Sequence, residues 1–208
     1  MFIRRFQKAF DRINHVKLFE VLHNKGLHGK FLRILKDMYT DLFSCSKVNS
    51  NFINMNADVN LKDKTCYFKT TDYFPCNIGT KQGDVSSPTI FALFINELAE
   101  SLRRSCGTGI FITNDINDIY CLMFADDIAN CAETAAKLQQ QILIIDAFCQ
   151  NTGMELNLDK TEIIVFRNGG GLRNYESWSY RGSPINAVPF YKYMGVYFTS
   201  YCVLVLHT

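Results

Sequence analysis

The chain has 208 residues, 48% of them hydrophobic and 13% aromatic, a composition that supports a globular core and excludes a disordered chain. Its 22 Lys and Arg residues nearly balance 20 Asp and Glu residues, which gives a formal net charge of +2. The longest apolar run, Ile90 to Ile95, is far shorter than the roughly 20 residues that cross a bilayer, and charges interrupt the start where a signal peptide needs an apolar stretch. We therefore expect an intracellular protein, nuclear or cytoplasmic, with no membrane partner.

The predicted elements begin with two amphipathic helices, over His15 to Gly26 and over Lys30 to Leu42, where apolar residues recur at helical spacing. The first of them follows Asn14, a residue type that is common at helix starts. Phe43 to Val48 and Thr65 to Phe74 are rich in strand-forming residues. The polar segment between them, residues 49 to 63, is predicted to be a loop.

The second half of the chain mixes helices and strands. Ser87-Pro88 predicts the cap and first turn of a buried helix that continues through Leu102, and Thr134 and Gly153 bracket another helix. The predicted strands are Ile119 to Phe124, Ile128 to Ala132, Ile163 to Phe166, Ser177 to Arg181 and Tyr191 to Phe198. Without regular βαβ alternation, this order predicts an α+β fold with helices on one face of an antiparallel sheet. Eight cysteines without a C-x-x-C pair predict reduced, mostly buried thiols rather than a zinc site.

The most informative motif is Asp126-Asp127, predicted to lie at the tip of a hairpin between two apolar strands. Adjacent carboxylates repel each other unless a cation lies between them. Mg²⁺ prefers carboxylate and phosphate oxygens, and two such ions about 4 Å apart can activate an attacking oxygen and stabilise a leaving one. From this pair alone two interpretations are open, a metal site and an ordinary Asp-Asp turn.

A second motif is the loop Gly79-Thr-Lys-Gln-Gly-Asp84, which leads into the helix predicted at Ser87. Glycines let a backbone approach a ligand closely, and backbone amides near a helix start attract anions. Lys81 is suited to contact a phosphate and Gln82 to hydrogen-bond a base or a sugar. The alternative is a connector that binds nothing.

Five motifs in a fixed order are far more specific than any one of them. They are Phe6-Gln-Lys-Ala-Phe-Asp-Arg-Ile-Asn-His15, then Gly79 to Asp84 with Ser87-Pro88, then Phe124-Ala-Asp-Asp127, then Gly153 through Asn157 to Lys160-Thr161, then Tyr191-Lys-Tyr-Met-Gly-Val196. In this order they resemble the palm motifs of a reverse transcriptase, an RNA-dependent DNA polymerase, of the non-LTR retrotransposon type. The resemblance spans about residues 2 to 199.

The resemblance implies a polymerase palm-like antiparallel sheet with helices packed on one face. Residues 1 to 199 would form a partial palm domain that ends in a primer-grip hairpin, with fingers and thumb incomplete, and residues 200 to 208 depart from the family pattern. It also implies an RNA template, a DNA primer and deoxynucleoside triphosphates as partners, and two Mg²⁺ ions as cofactors. The sequence leaves the oligomeric state open.

The same resemblance implies roles for individual residues. Asp126 and Asp127 would bind the metals, and Lys160 would lie near the nucleotide phosphates and protonate the leaving pyrophosphate. A solvated lysine is the alternative for Lys160. The other implied site residues are Phe10 as a steric gate beneath the sugar, Lys81, Gln82 and Gly83 in the nucleotide and template pocket, and Tyr191, Lys192, Tyr193, Met194, Gly195 and Val196 in the primer grip, unless Tyr191, Tyr193 and Val196 only fill the core.

One position departs from the family pattern. A metal-binding Asp is expected four residues before Ala9, and this chain has Arg5 there, preceded by Arg4. A guanidinium removes a ligand and puts a cation beside the metals, so transition-state stabilisation should fall steeply. Asp11 lies six residues beyond the required position and does not replace the missing carboxylate.

Three functions are consistent with these motifs. The first is a retroelement-derived reverse transcriptase domain, which in intact relatives makes DNA on RNA by two-metal nucleotidyl transfer and is impaired or inactive here. The second is a non-catalytic nucleic-acid-binding relic, since residues 1 to 50, Arg4 and Arg5 among them, hold 10 basic and 4 acidic side chains, a net +6. For most of these cations a solvated helix face is the alternative. The third is another palm-type Mg²⁺ enzyme such as a nucleotide cyclase, against which the Lys81-Gln82-Gly83 and Tyr191 to Val196 blocks argue.

Overall fold

The structure is a computed structural model that describes residues 1–40, 42–45, 47–49, 68–81, 83–106, 109–111, 113, 118–167, 169, 171–201 and 204–205. Within these residues the helices are α1 (His15–Asn24), α2 (Gly29–Tyr39), α3 (Ser87–Cys106) and α4 (Ala135–Thr152), and Ala9–Asp11 and Leu158–Lys160 form 3-10 turns. The strands are β1 (Phe2–Arg5), β2 (Phe43–Ser44), β3 (Lys47–Asn49), β4 (Phe68–Thr70), β5 (Phe74–Pro75), β6 (Cys121–Phe124), β7 (Asp127–Asn130), β8 (Glu162–Ile163), β9 (Trp178–Tyr180), β10 (Ser183–Ile185), β11 (Phe190–Tyr193), β12 (Val196–Thr199) and β13 (Leu204–Val205).

The helix ends follow the capping residues of the sequence. The side chains of Asn14 and Thr134 each accept a hydrogen bond from a backbone N–H in the first turn of their helix, at 3.2 Å. Gly153, with φ 76°, ends α4 in the left-handed conformation that glycine adopts without strain. Ser87 differs from its prediction, because it is the first residue of α3 and its hydroxyl donates to the Lys81 carbonyl at 2.7 Å.

The chain divides into two compact units, one formed by Met1–Leu27 and Ile78–Thr208 and the other by His28–Asn77. The smaller unit contains α2 and two short antiparallel strand pairs, β2 with β5 and β3 with β4. Helix α2 is amphipathic and buries Leu32, Leu35 and Tyr39. The loop predicted over residues 49 to 63 lies, apart from residue 49, outside the described residues.

In the larger unit, β6, β7, β1 and β8 form an antiparallel sheet in that order. Strand β1 has no counterpart among the predicted elements. Its register places Arg4 opposite Ile128 and Arg5 opposite Asp127. Because successive side chains of a strand point to opposite faces, Arg4 and Ile128 share one face, and Ile3, Arg5 and Asp127 share the other.

Helices cover the face that Arg4 and Ile128 share. The ring centroid of Phe148 on α4 lies 6.4 Å from that of Phe6 and 6.1 Å from that of Phe94 on α3, so the end of β1 and both helices meet in one core. The opposite face carries a separate buried cluster, formed by Ile3, Ala129, Ile164 and Tyr193, against which the β11–β12 hairpin packs. This arrangement confirms the predicted α+β fold with helices on one face of an antiparallel sheet.

Several predicted strands differ from the observed ones, and two of the differences lie near the paired aspartates. Asp127 was predicted in a turn and is the first residue of β7, whereas Ala125 and Asp126 alone form the turn. Residues 191 to 198 form two strands instead of one, because Met194 with φ 52° and Gly195 with φ 85° turn the chain back. Left-handed backbone at both central positions is typical of tight hairpins.

The absence of membrane-spanning segments and the state of the cysteines were both predicted from composition. In the part of the chain that the structure describes, no helix combines the length and apolarity that crossing a membrane requires. The six cysteines in that part are free thiols, as predicted. The prediction that the thiols are mostly buried was wrong, since among these six only Cys149 is buried.

Arg4 lies in the core, so both interpretations of its charge, contact with nucleic acid and a solvated helix face, were wrong. Its side chain is 0% exposed, and its guanidinium carbon lies 5.3 Å from the ring centroid of Phe6 and 5.9 Å from that of Phe2. Among the described residues, none of its three nitrogens has a hydrogen-bond partner. Burial lowers the pKa of Arg4 to about 10, because the interior disfavours the charged form. A buried cation without an acidic partner destabilises a fold.

Candidate active site

A tight hairpin presents the two aspartates. Strands β6 and β7 pair with Phe124 opposite Asp127, and Ala125 and Asp126 form the two-residue turn between them. Ala125 has a positive φ of 50°, which is typical of turns that match the twist of a hairpin. Both carboxylates therefore lie at the same end of the sheet.

Arg5 enters this end of the sheet from the neighbouring strand. Its Nε donates to Oδ1 of Asp127 at 2.5 Å, and its Nη2 donates to Oδ2 at 2.8 Å, which makes a bidentate ion pair. The same Nε lies 3.5 Å from Oδ2 of Asp126. The hydrogen bond to Asp127 raises the pKa of Arg5 above its ordinary value, despite the opposing effect of burial. The guanidinium is therefore charged throughout the physiological pH range.

These three side chains do not fit a pair of divalent ions. Both carboxylate oxygens of Asp127 already accept guanidinium hydrogens. Nowhere in the described part of the chain do three or more Asp, Glu, His or Cys side chains cluster as metal ligands. A divalent cation at about 4 Å from the guanidinium would meet a repulsion between about 2 kcal/mol in water and about 8 kcal/mol near a protein surface. The Arg5 guanidinium therefore competes with any metal ion for the carboxylate oxygens of Asp127.

The β11–β12 hairpin lies against the same end of the sheet. The Tyr193 hydroxyl is 3.4 Å from the backbone oxygen of Asp127 and 3.5 Å from that of Leu122, so it reaches both strands of the aspartate hairpin. Burial raises the pKa of Tyr191, and the nearby Asp127 carboxylate raises it further. The structure therefore brings two of the predicted primer-grip residues to the aspartates.

The other predicted primer-grip residues form the tip and outer side of this hairpin. Met194 and Gly195 make the turn, and the Met194 side chain is exposed. Lys192 holds its ammonium 5.1 Å from the ring centroid of Tyr197, a cation–π contact on the neighbouring strand. Val196 is the first residue of β12 and is half-buried. The tip is thus held by its own strands and presents an apolar end.

Lys160 is linked to the site through the backbone. It ends a 3-10 turn that follows Asn157, whose N–H donates to the Arg5 carbonyl at 3.0 Å. The Lys160 side chain itself is exposed. Both the predicted phosphate contact and the solvated alternative stay predictions for this residue.

Phe10 belongs to a second group of predicted site residues, at the glycine loop. Its ring stacks on that of Phe91 in α3, with centroids 4.4 Å apart and an interplanar angle of 28°. The Thr80 N–H donates to the Phe10 carbonyl at 2.7 Å, and the Gly79 N–H donates to the Ile13 carbonyl at 2.8 Å. These bonds fix the start of the glycine loop beside Phe10.

The rest of the glycine loop leads into α3. Lys81 is half-buried, and its carbonyl accepts the Ser87 hydroxyl. Gly83 has φ 85°, a conformation that favours glycine. Gln82, predicted between them, lies outside the described residues. The fold therefore places Lys81 and Gly83 on the loop that begins at Phe10.

Phe91 is a supporting residue that sequence analysis missed. Its side chain is 1% exposed, and its ring lies against Phe10. It is one of several apolar residues at helical spacing in α3, and spacing alone does not separate the one that faces the site from those that face other helices.

We expect Gly79→Ala to lower the free energy of unfolding by about 1 to 2 kcal/mol more than the matched variant Gly83→Ala. Both glycines have positive φ, +87° and +85°, so both variants carry similar backbone strain. A Cβ at Gly79 would lie 3.0 Å from the Cα and the carbonyl oxygen of Asp11, whereas a Cβ at Gly83 would meet no atom of the described residues within 4 Å. Urea unfolding followed by circular dichroism measures the difference. Equal losses would show that the loop shifts to relieve the contact.

Comparison with known proteins places these motifs in a family. A family model described as "Reverse transcriptase (RNA-dependent DNA polymerase)" matches residues 6–198. The chain is 28% identical over 155 residues to the Retrovirus-related Pol polyprotein from type-2 retrotransposable element R2DM of Drosophila melanogaster, which covers 74% of this chain and 12% of that protein. It is 24% identical over 200 residues to the Retrovirus-related Pol polyprotein from type-1 retrotransposable element R2 of Popillia japonica, which covers 93% and 30%. The chain thus spans less than a third of either relative.

Among solved structures, the chain matches a telomerase from Candida albicans in complex with the TWJ fragment of telomeric RNA. The TM-score is 0.51 at 11% sequence identity, and the match covers 100% of this chain and 30% of that one. At this identity the likeness shows the fold alone, and it confirms the predicted palm-like architecture. The family match over nearly the whole chain and the similarity to R2 elements confirm the family predicted from the motifs. The chain belongs to the reverse transcriptase (RNA-dependent DNA polymerase) family, of the non-LTR retrotransposon type.

Proposed function

We propose that this chain is a retroelement-derived reverse transcriptase palm that binds a primer–template and adds few or no nucleotides, because Arg5 blocks the metal site. The bidentate contact between Arg5 and Asp127 is the observation that carries the proposal. The family generally depends on a divalent metal. In intact relatives, aspartates at the positions of Asp126 and Asp127 would hold Mg²⁺ while deoxynucleoside triphosphates extend a DNA primer on an RNA template. In this chain those aspartates hold a guanidinium instead.

The remaining palm residues would retain their places around the nucleic acid, within a palm domain of residues 1–199. Stacking of Phe10 on the buried ring of Phe91 supports its role as a steric gate, because a ring held on one face cannot turn away from a sugar. The hydrogen bonds from Thr80 to Phe10 support a pocket for nucleotide and template formed by Lys81, Gln82 and Gly83.

The hairpin Tyr191, Lys192, Tyr193, Met194, Gly195 and Val196 would hold the primer end. The Tyr193 contacts with Asp127 and Leu122 support this role, because they fix the hairpin at the strand end where a primer terminus would be needed. Lys8, Lys160 and Lys192 carry exposed ammonium groups on segments that adjoin the site, and such groups suit backbone phosphates.

The proposal is tested by measuring binding and extension separately with the purified chain. Fluorescence anisotropy with a labelled DNA primer on an RNA template should show binding that weakens with salt, with a log–log slope of about −3 if about three phosphates are contacted. Charge reversal of Lys8, Lys160 and Lys192 to Glu should weaken binding at least tenfold, and Lys137→Glu on α4 serves as the control. Deoxynucleoside triphosphates with Mg²⁺ should give little or no extended primer.

Two results would contradict the proposal. Rapid template-dependent extension of most of the primer by the unchanged chain would show that Arg5 does not block the site. Absence of binding at low salt would reject a nucleic-acid function. The alternative of a non-catalytic nucleic-acid-binding relic is favoured by the same Arg5 contact, and it predicts no incorporation even over long incubations, whereas an impaired polymerase predicts slow incorporation.

A further inference from the structure

We propose that Arg5 is a resident cation that holds the Asp126–Asp127 hairpin in place of a metal, and that removing its guanidinium reopens a divalent-cation site at these two aspartates. The inference rests on the proposed function, since it explains how the palm keeps its shape without a bound metal. It goes further than that function, because it predicts that one substitution at position 5 lets the two aspartates bind a divalent cation.

The first step of the argument is charge. Two carboxylates on adjacent residues at a turn repel each other, and one guanidinium reaches both, with Nε 2.5 Å from Asp127 and 3.5 Å from Asp126. The three side chains are partly exposed, at 41%, 35% and 23% for Arg5, Asp126 and Asp127, so the site is open to ions from solvent. Burial of the carboxylates therefore does not exclude a metal ion, and the guanidinium does.

The second step is backbone position. Arg5 lies opposite Asp127 in the register of β1 and β7, so any side chain at position 5 starts on the face of the sheet that carries the Asp127 carboxylate. The backbone here is held independently of the guanidinium, because the Arg5 carbonyl accepts the Asn157 N–H and the Phe6 N–H donates to the Asp126 carbonyl at 3.4 Å. A shorter side chain at position 5 would therefore leave the hairpin in place and free both carboxylates.

The third step is the net charge of the three side chains, which is −1 in the natural chain. It becomes −2 in Arg5→Ala and −3 in Arg5→Asp, and Arg5→Asp also adds oxygen ligands of the kind that Mg²⁺ and Mn²⁺ prefer. Arg5→Lys keeps the net charge at −1 without the bidentate fork, so it is the matched control.

The experiment measures Mn²⁺ binding by isothermal titration calorimetry and the shift of Tm that Mn²⁺ causes. We expect no measurable binding and no Tm shift for the natural chain or for Arg5→Lys. Arg5→Ala should bind Mn²⁺ weakly, and Arg5→Asp at least tenfold more tightly, with a Tm that falls in EDTA and recovers with Mn²⁺. Adding Asp127→Asn to Arg5→Asp should abolish both responses.

Three outcomes would overturn the inference. In the first, the natural chain binds Mn²⁺ and Asp127→Asn abolishes that binding. In the second, Arg5→Lys and Arg5→Asp bind Mn²⁺ equally well. In the third, Arg5→Ala and Arg5→Asp both fold and neither binds Mn²⁺. Arg5→Ala keeps the test decisive if Arg5→Asp does not fold. Failure here is distinguishable from failure of the proposed function, because primer–template binding by the natural chain is measured without any metal.

Discussion

Replacing Arg4 with Met is expected to raise the free energy of unfolding by about 2 to 3 kcal/mol at neutral pH. The interior lowers the pKa of Arg4 to about 10, and the depression corresponds to about 3 kcal/mol of destabilisation while the group is charged. Met fills a similar volume without a charge. Loss of the ring contacts with Phe2 and Phe6 offsets about 1 kcal/mol of the gain. The midpoint of urea unfolding, compared at constant slope, measures the change.

The same substitution has a specific pH dependence. Below pH 10 the folded chain holds a charged Arg4 in the core, and the full destabilisation is present. As pH rises above about 10, the folded state releases this proton while the unfolded state keeps it, so the natural chain gains stability relative to Arg4→Met. The difference in free energy of unfolding between the two proteins should therefore become smaller above pH 10. Comparing the pair at each pH cancels the titration of Lys, Tyr and Cys residues.

Arg33→Met on α2 is the control for Arg4→Met, since Arg33 is exposed and the same chemical change there should alter stability by less than about 0.5 kcal/mol. A natural chain as stable as Arg4→Met would mean that the Arg4 guanidinium finds a compensating partner in solution. If the difference in free energy of unfolding between the natural chain and Arg4→Met stays unchanged at high pH, packing and not charge causes that difference.

Phe91→Ala should lower the free energy of unfolding by about 3 to 5 kcal/mol, the largest loss expected from a single side chain near the site. The Phe91 ring is 1% exposed and stacks on the ring of Phe10, so its removal leaves a cavity on the buried side of Phe10. Urea unfolding measures the loss. The freed Phe10 ring should also give a broader set of conformations, which NMR of ring protons can detect.

Phe111→Ala is the matched control for Phe91→Ala, because its ring is 60% exposed and its removal should change the free energy of unfolding by less than about 1 kcal/mol. A loss for Phe91→Ala below about 1 kcal/mol would show that neighbouring side chains collapse into the space. In that case Phe10 would not depend on Phe91 for its position.

Arg4 and Arg5 show how neighbouring residues of the same type acquire opposite surroundings. They are adjacent on β1, and successive side chains of a strand point to opposite faces of the sheet. The Arg4 side chain therefore lies among phenylalanines beneath the helices, and the Arg5 side chain lies beside the aspartates. No strand was predicted over Phe2 to Arg5, because two consecutive charged residues break the apolar alternation that marks a half-buried strand. Position along the sequence alone therefore could not separate their roles.

Local motifs determined much of this protein from sequence alone. The capping residues Asn14, Thr134 and Gly153 set helix ends, because capping depends on neighbours within one turn. The ordered motifs identified the family, and the count back from Ala9 singled out Arg5 as the position where the resemblance implies a metal-binding Asp. Each of these inferences uses residues close together in the chain, or their order.

The tertiary structure alone decided what Arg5 does. Arg5 and Asp127 are 122 residues apart, and their bidentate contact depends on the register of β1 against β7. The burial of Arg4 and the stacking of Phe91 on Phe10 likewise depend on which elements are neighbours in space. Sequence therefore determined the family, the paired aspartates and the absence of a third carboxylate, because these are local patterns. Only the packed sheet decided that a guanidinium pairs with these aspartates, because strand register joins residues that lie far apart in the chain.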